Sequence, residues 1–141
     1  MQFQLYSQLL RLDYSNDHLL QMYYVLYYDL PSEEKEMLNN IHQLIITREK
    51  IKQELRSQIS QLRNSAADSV IEKQIADILP VFLKLEFLTK NTFNHSNWAL
   101  CYKKERQNLK LYYEVLYNQN LSPSTVDALL SQKNRLEAVP R

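Results

Sequence analysis

The sequence contains no glycine in 141 residues. Average usage of roughly 7% would supply about ten. Without glycine no position offers a strain-free left-handed backbone, so tight hairpins and glycine-ended helices are unavailable. Glycine-rich phosphate loops, dinucleotide fingerprints and strand-elbow nucleophiles are excluded outright. A chain does without glycine most readily when it is nearly all helix with short polar connections, asparagine standing in where a helix must end.

The apolar pattern agrees. Leu5, Leu9, Leu12, Asn16, Leu19, Tyr23, Leu26 and Leu30 fall at alternating steps of four and three, a heptad seam. It predicts a first helix over residues 2–29. Asn16 is the seam's one polar member, inside "DYSND"; the unbroken phase on either side favours one continuous helix with a buried polar position over a break. "DLPSEEKEM" then ends this helix and starts the next, with Pro31 in the first turn, Ser32 as cap, and Glu33, Glu34 and Glu36 at the positive end of the helix dipole. The second predicted helix reaches Asn64 on a stripe of Ile41, Leu44, Ile45, Ile51, Leu55, Ile59 and Leu62, with Lys50 and Glu54 as a surface pair.

Ser69 and Glu72 form a capping-box pattern. The third predicted helix carries Ile71, Ile75, Ile78, Phe82 and Leu85 and keeps phase across Pro80, which reads as a kink. A fourth helix is expected over residues 97–118, with Trp98, Tyr102, Leu109, Tyr112 and Leu116 on one face and Glu105 interrupting it. A fifth runs from Pro123 to Glu137. The expected fold is an all-α bundle of four to five mostly antiparallel helices, kinked in the third at Pro80, in a single domain over residues 1–141.

Formal net charge is +1, so the molecule as a whole is no polycation built to grip phosphates. There is a mild gradient. Residues 1–36 hold two basic and six acidic groups, and residues 97–141 hold seven and four. Cys101 is the only cysteine, which excludes an intrachain disulfide and fits a reducing compartment. The first residues have neither a basic lead-in nor a small-residue cleavage site, and the longest clean apolar run, "ILPVFL", is too short to span a bilayer. A cytoplasmic protein without membrane contact is the expectation.

All ten tyrosines lie in two windows, residues 6–28 and 102–117. The helical period puts Tyr23 and Tyr27 on the core face and Tyr24 and Tyr28 beside it. "LYYEVLYN", residues 111–118, repeats the arrangement. One aromatic cluster, shared by the end of the first helix and by this later helix, is the economical inference. Core packing explains the inner rings. Tyr24, Tyr28, Tyr113 and Tyr117 are the candidate partner-binding residues, since tyrosine combines large contact area with few rotatable bonds.

Catalysis has no foundation in the pattern. His18, His42 and His95 are scattered, no cysteine stands at zinc-ligand spacing from them, and no Glu-x-x-His pair is present for a di-metal bundle. Cys101 reads as a small buried residue. No catalytic set, metal site, cofactor site or small-molecule substrate is expected. Arg11 and His18 resemble the Arg/His pair of HEPN-type ribonucleases, although that family's motif comes late in its fold and this pair is on the first predicted helix.

Residues 112–131, "YYEVLYNQNLSPSTVDALLS", resemble the helix-turn-helix of bacterial repressors. Leu121, Val126 and Leu129 occupy the apolar positions after the turn, and Asn120 stands where glycine is usual. Leu116 departs from the pattern where a small residue lets helices cross, and Asp127 puts a negative charge on the reading helix. The resemblance implies that Ser124, Thr125 and Lys133 approach DNA, with Lys103, Lys104 and Arg106 on its backbone. The sequence thus supports a non-enzymatic protein–protein interaction module, an adaptor, chaperone-like or regulatory subunit with a protein partner or a second copy of itself. The alternative is a DNA-binding transcriptional regulator.

Overall fold

The computed structural model describes residues 2–62, 95–117 and 121–140. Four helices make up most of these residues: α1 (Gln2–Asp29), α2 (Lys35–Leu62), α3 (His95–Leu116) and α4 (Pro123–Ala138). The chain is all-α, with no strand among the described residues, and its helices pack as a bundle. No described residue takes a positive φ, asparagine included, so the described helix ends do without a left-handed position. The capping box at Ser69, the third predicted helix and its kink at Pro80 lie outside the described residues.

α1 is continuous through residues 13–17 and packs on α2 and α3. It runs antiparallel to both. Asp13 faces Arg56 and Asp17 faces Lys52 on α2, while Ser15 meets Asn108 and Tyr23 meets Glu105 on α3. α4 lies antiparallel across α2 and α3, Gln132 reaching Gln58 and Arg135 reaching Glu54.

The connection after α1 differs from the expectation. The Glu34 N–H donates to the Pro31 carbonyl at 3.1 Å, closing a turn over residues 31–34, and the first helical bond runs from Leu38 N–H to the Glu34 carbonyl. Reversing the chain between antiparallel helices uses those four residues, so α2 starts at Lys35 and Ser32 caps nothing. The start of α4 follows its sequence signals. Ser122 is extended, accepts from the Thr125 N–H at 3.2 Å, and precedes Pro123 in the first turn.

The core has two apolar halves. One gathers Tyr6, Leu9, Leu12, Ile51, Leu55, Tyr112, Leu129 and Leu136. The other gathers Leu19, Tyr23, Leu26, Ile41, Leu44, Leu100 and Cys101. Each Leu or Ile fully withdrawn from water stabilises the fold by about 1.5–3 kcal/mol. Between the halves lies a polar layer, at Asn16 of α1, Arg48 of α2, and Glu105 and Asn108 of α3, every one of them buried.

That layer overturns the expected face of α3. Besides Leu100, the buried side chains are Cys101, Glu105, Asn108, Tyr112 and Val115, in steps of four and three. Glu105 is therefore at the centre of the buried face and does not interrupt it, while Tyr102 is 55% exposed. The expected Lys50–Glu54 pair is likewise replaced, because Glu54 takes the Arg135 guanidinium with Nη1 and Nη2 at 3.0 and 2.5 Å.

Candidate functional site: an aromatic groove and a basic helix face

Arg48 has no exposed surface, and all five of its N–H donors are satisfied. Nε and Nη2 grip the two Glu105 carboxylate oxygens at 3.2 and 2.7 Å. Nη1 reaches Asn16 Oδ1 at 2.7 Å and Asn108 Oδ1 at 3.2 Å, and Nη2 also reaches Asn108. Asn16 Nδ2 donates back to the Arg48 carbonyl at 3.0 Å, and the Tyr23 hydroxyl donates to Glu105 Oε1 at 2.6 Å. Burial pushes the Tyr23 phenol well above its ordinary value, and the adjoining Glu105 charge adds to this. A charge paired this completely is a structural group. Its donors are spent inside the protein, leaving none for a substrate.

A small cavity of about 190 Å³ opens beside the layer, lined by Tyr23, Leu44, Trp98, Cys101, Tyr102 and Glu105. Burial and the neighbouring Glu105 push the Cys101 thiol up to about 12. The thiol's folded value exceeds its unfolded one, so its contribution to stability is complete below about pH 9 and is lost as pH rises through about 12. The thiolate is the reactive form, so the native protein at pH 8.5 is expected to react with iodoacetamide at least about 100-fold more slowly than the urea-unfolded chain. Comparable rates in the two states would remove Cys101 from the core.

The larger feature is an open groove of about 510 Å³ between α1 and α2, lined by Tyr24, Tyr27, Tyr28, His42, Ile45, Ile46, Glu49 and Lys50. The ring of Tyr28, 80% exposed, stands edge-on to Tyr27 at 6.0 Å, and Tyr27 lies 6.0 Å from the His42 ring. Tyr24 donates to Glu49 Oε1 at 2.8 Å, a hydrogen bond that raises its phenol from the ordinary value. Ile46 is exposed in the opposite wall. The two sequence-chosen tyrosines Tyr24 and Tyr28 thus share one surface, together with His42 and Ile46, which come from the other helix.

Tyr113 and Tyr117 do not join them. Tyr112 packs with Tyr6 in one half of the core, whereas Tyr23 packs with Leu100 and Cys101 in the other. The single aromatic cluster expected from the sequence is therefore two, one at each end of the antiparallel α1–α3 pair. Tyr113 is exposed with the Lys133 ammonium 5.0 Å from its ring centre, and Tyr117 is 82% exposed.

On the outer face of α3 a second open groove of about 510 Å³ is lined by Ala99, Tyr102, Lys103, Arg106, Gln107 and Lys110. The Arg106 guanidinium lies 5.9 Å from the centre of the Tyr102 ring. Lys104 is half-buried and is not among the residues lining this groove. In α4 the hydroxyls of Ser124 and Thr125 approach Ser122 Oγ at 3.2 and 2.9 Å, inside the cap, and Lys133 pairs with Glu137 at 2.5 Å. Arg11 is exposed and His18 buried, two helical turns along α1. Among the described residues no three His, Cys, Asp or Glu side chains are grouped to hold a metal ion, and no helix is long and apolar enough to cross a membrane.

The class these features define is an all-α bundle with a polar layer through its core and, among the described residues, an aromatic and a basic open surface groove. Comparison with protein-family models, curated proteins and solved structures found no match to this chain.

Proposed function

We propose that the protein is a non-enzymatic interaction module, an adaptor or regulatory subunit of the cytoplasm, that docks a helical segment of a partner protein in the α1–α2 groove. The observation that carries this reading is the exposure of Tyr28, Tyr24 and Ile46 around one groove between two packed helices. Large apolar side chains held in water around a concavity are the usual anchors of an interface. Asp29, Glu33, Glu34 and Glu36 are exposed at the same end of the pair against Lys35, and Glu49 and Lys50 both line the groove, so the acidic groups outnumber the basic ones. The fitting partner is an amphipathic helix with an apolar stripe flanked by basic residues. The repressor-like reading of residues 112–131 draws less support, since the Ser124 and Thr125 hydroxyls serve the cap and Lys133 is held by Glu137 and Tyr113.

The test is affinity capture from the native host with the full chain, alongside Tyr28→Ser/Ile46→Ser and Tyr117→Ser. The groove variant is expected to lose its partner by about 30-fold or more in affinity while Tyr117→Ser retains it. All three chains should unfold at the same denaturant midpoint, because the changed side chains are exposed. A captured partner held equally by the groove variant would refute the reading. So would light scattering that shows a homodimer indifferent to Tyr28 and Ile46.

A further inference from the structure

We propose that the outer face of α3 is a binding site for single-stranded nucleic acid. At 100° per residue, Tyr102, Lys103, Arg106, Lys110, Tyr113 and Tyr117 fall within about a third of the helix circumference and span roughly 22 Å along its axis. Each of the six is exposed. The open groove within this stripe has three cations and one phenol among its lining residues and no carboxylate. Two of the acidic groups that could neutralise it are committed elsewhere. Glu105 lies in the buried layer with Arg48, and Glu137 pairs with Lys133, leaving Glu114 at the edge of the stripe.

The alternation of charge and ring selects among polyanions. Cations alone would suit an acidic peptide or the outside of a duplex. Exposed phenols held between cations suit unstacked bases, because every base offers a π-face to an aromatic ring while its phosphate meets a neighbouring Lys or Arg. The Arg106 guanidinium lies 5.9 Å from the centre of the Tyr102 ring, so a base stacked on the opposite face of that ring would have a phosphate-binding group close by. In a duplex the base faces are covered by their neighbours and the rings would have nothing to stack on. The stripe shares Lys103, Arg106, Tyr113 and Tyr117 with the helix-turn-helix-like segment and its expected contacts but uses neither the turn nor α4; its groove has no lining residue in common with the α1–α2 groove, and the inference does not rest on the docking function proposed above.

The experiment is fluorescence anisotropy of a labelled oligothymidylate titrated with the full chain. The expected result is binding whose log affinity falls with log salt at a slope of about −2, three phosphate contacts on a single strand. Tyr102→Ala and Tyr113→Ala should each weaken it by about tenfold. Lys103→Gln/Arg106→Gln should bring the slope below about 1 in magnitude. A duplex of the same length and a polyglutamate peptide should bind at least tenfold more weakly than the single strand. Absence of binding at low salt would overturn the proposal. Equal affinity for the duplex or for polyglutamate would also overturn it, as would full affinity in both tyrosine variants, since each marks a plain cationic patch.

Discussion

Arg48→Ala is expected to lower the unfolding free energy by about 3–5 kcal/mol, read from urea denaturation at neutral pH. The reason is the company Arg48 keeps. Its removal takes the counter-charge from Glu105, which is only 3% exposed, and takes the donors from Asn16 Oδ1 and Asn108 Oδ1. The backbones of α2 and α3 do not approach each other closely among the described residues, so an alanine at position 48 leaves Glu105 without its partner. The sign of a second change makes the test specific. Arg48→Met/Glu105→Leu is expected to be more stable than Arg48→Met alone, because it removes the abandoned carboxylate and adds apolar volume. Additive losses in that cycle, or a cost under about 1 kcal/mol for Arg48→Ala, would show that the pair is solvated.

Tyr112→Ala is expected to cost about 3–5 kcal/mol and to release α4. Tyr112 is fully buried where α1, α2, α3 and α4 converge, among Tyr6, Ile51, Leu129 and Leu136. Its hydroxyl donates to Gln132 Oε1 at 2.9 Å, and Gln132 Nε2 donates onward to Glu54 and Gln58 of α2 at 3.3 and 3.2 Å. Tyr112→Phe isolates the polar part. The ring still fills its place, but Gln132 loses a donor in a buried position, which should cost about 1–2 kcal/mol. Hydrogen exchange should then quicken over residues 123–138 more than over α1. Unchanged exchange across α4 in Tyr112→Phe would mean that packing alone holds that helix.

The helices were legible because their apolar seams keep phase over many turns. Asn16 shows how far that signal reaches: its seam position sufficed to place a polar side chain in the interior and to carry α1 unbroken through "DYSND". The same logic applied to Arg48, which falls in step between Leu44 and Ile51, and to Glu105, in step between Cys101 and Tyr112. Periodicity alone assigns neither to the interior, and Glu105 reads as an interruption of its helix face, because a charged side chain is ordinarily solvated and the sequence does not display the partner that changes this. For α3 the aromatic weight of Trp98 and Tyr102 drew the apolar face toward a neighbouring stripe. A phenol tolerates a boundary position, so hydrophobicity alone misplaces it.

The candidate surfaces were half visible. Tyr24 and Tyr28 could be assigned to an exposed flank from the helical period, but Ile46 and His42 join them only through the α1–α2 pairing. Antiparallel packing was also what separated Tyr113 and Tyr117 from that flank. Composition shows that tyrosines come in two windows, and only the direction of the helices tells whether the windows meet.

The polar layer constrains how this sequence can change over generations. Asn16, Arg48, Glu105 and Asn108 come from three helices and satisfy one another, so replacing any one strands the rest. Their substitutions are strongly epistatic, and neutral drift will tend to leave the four untouched or exchange them as a set.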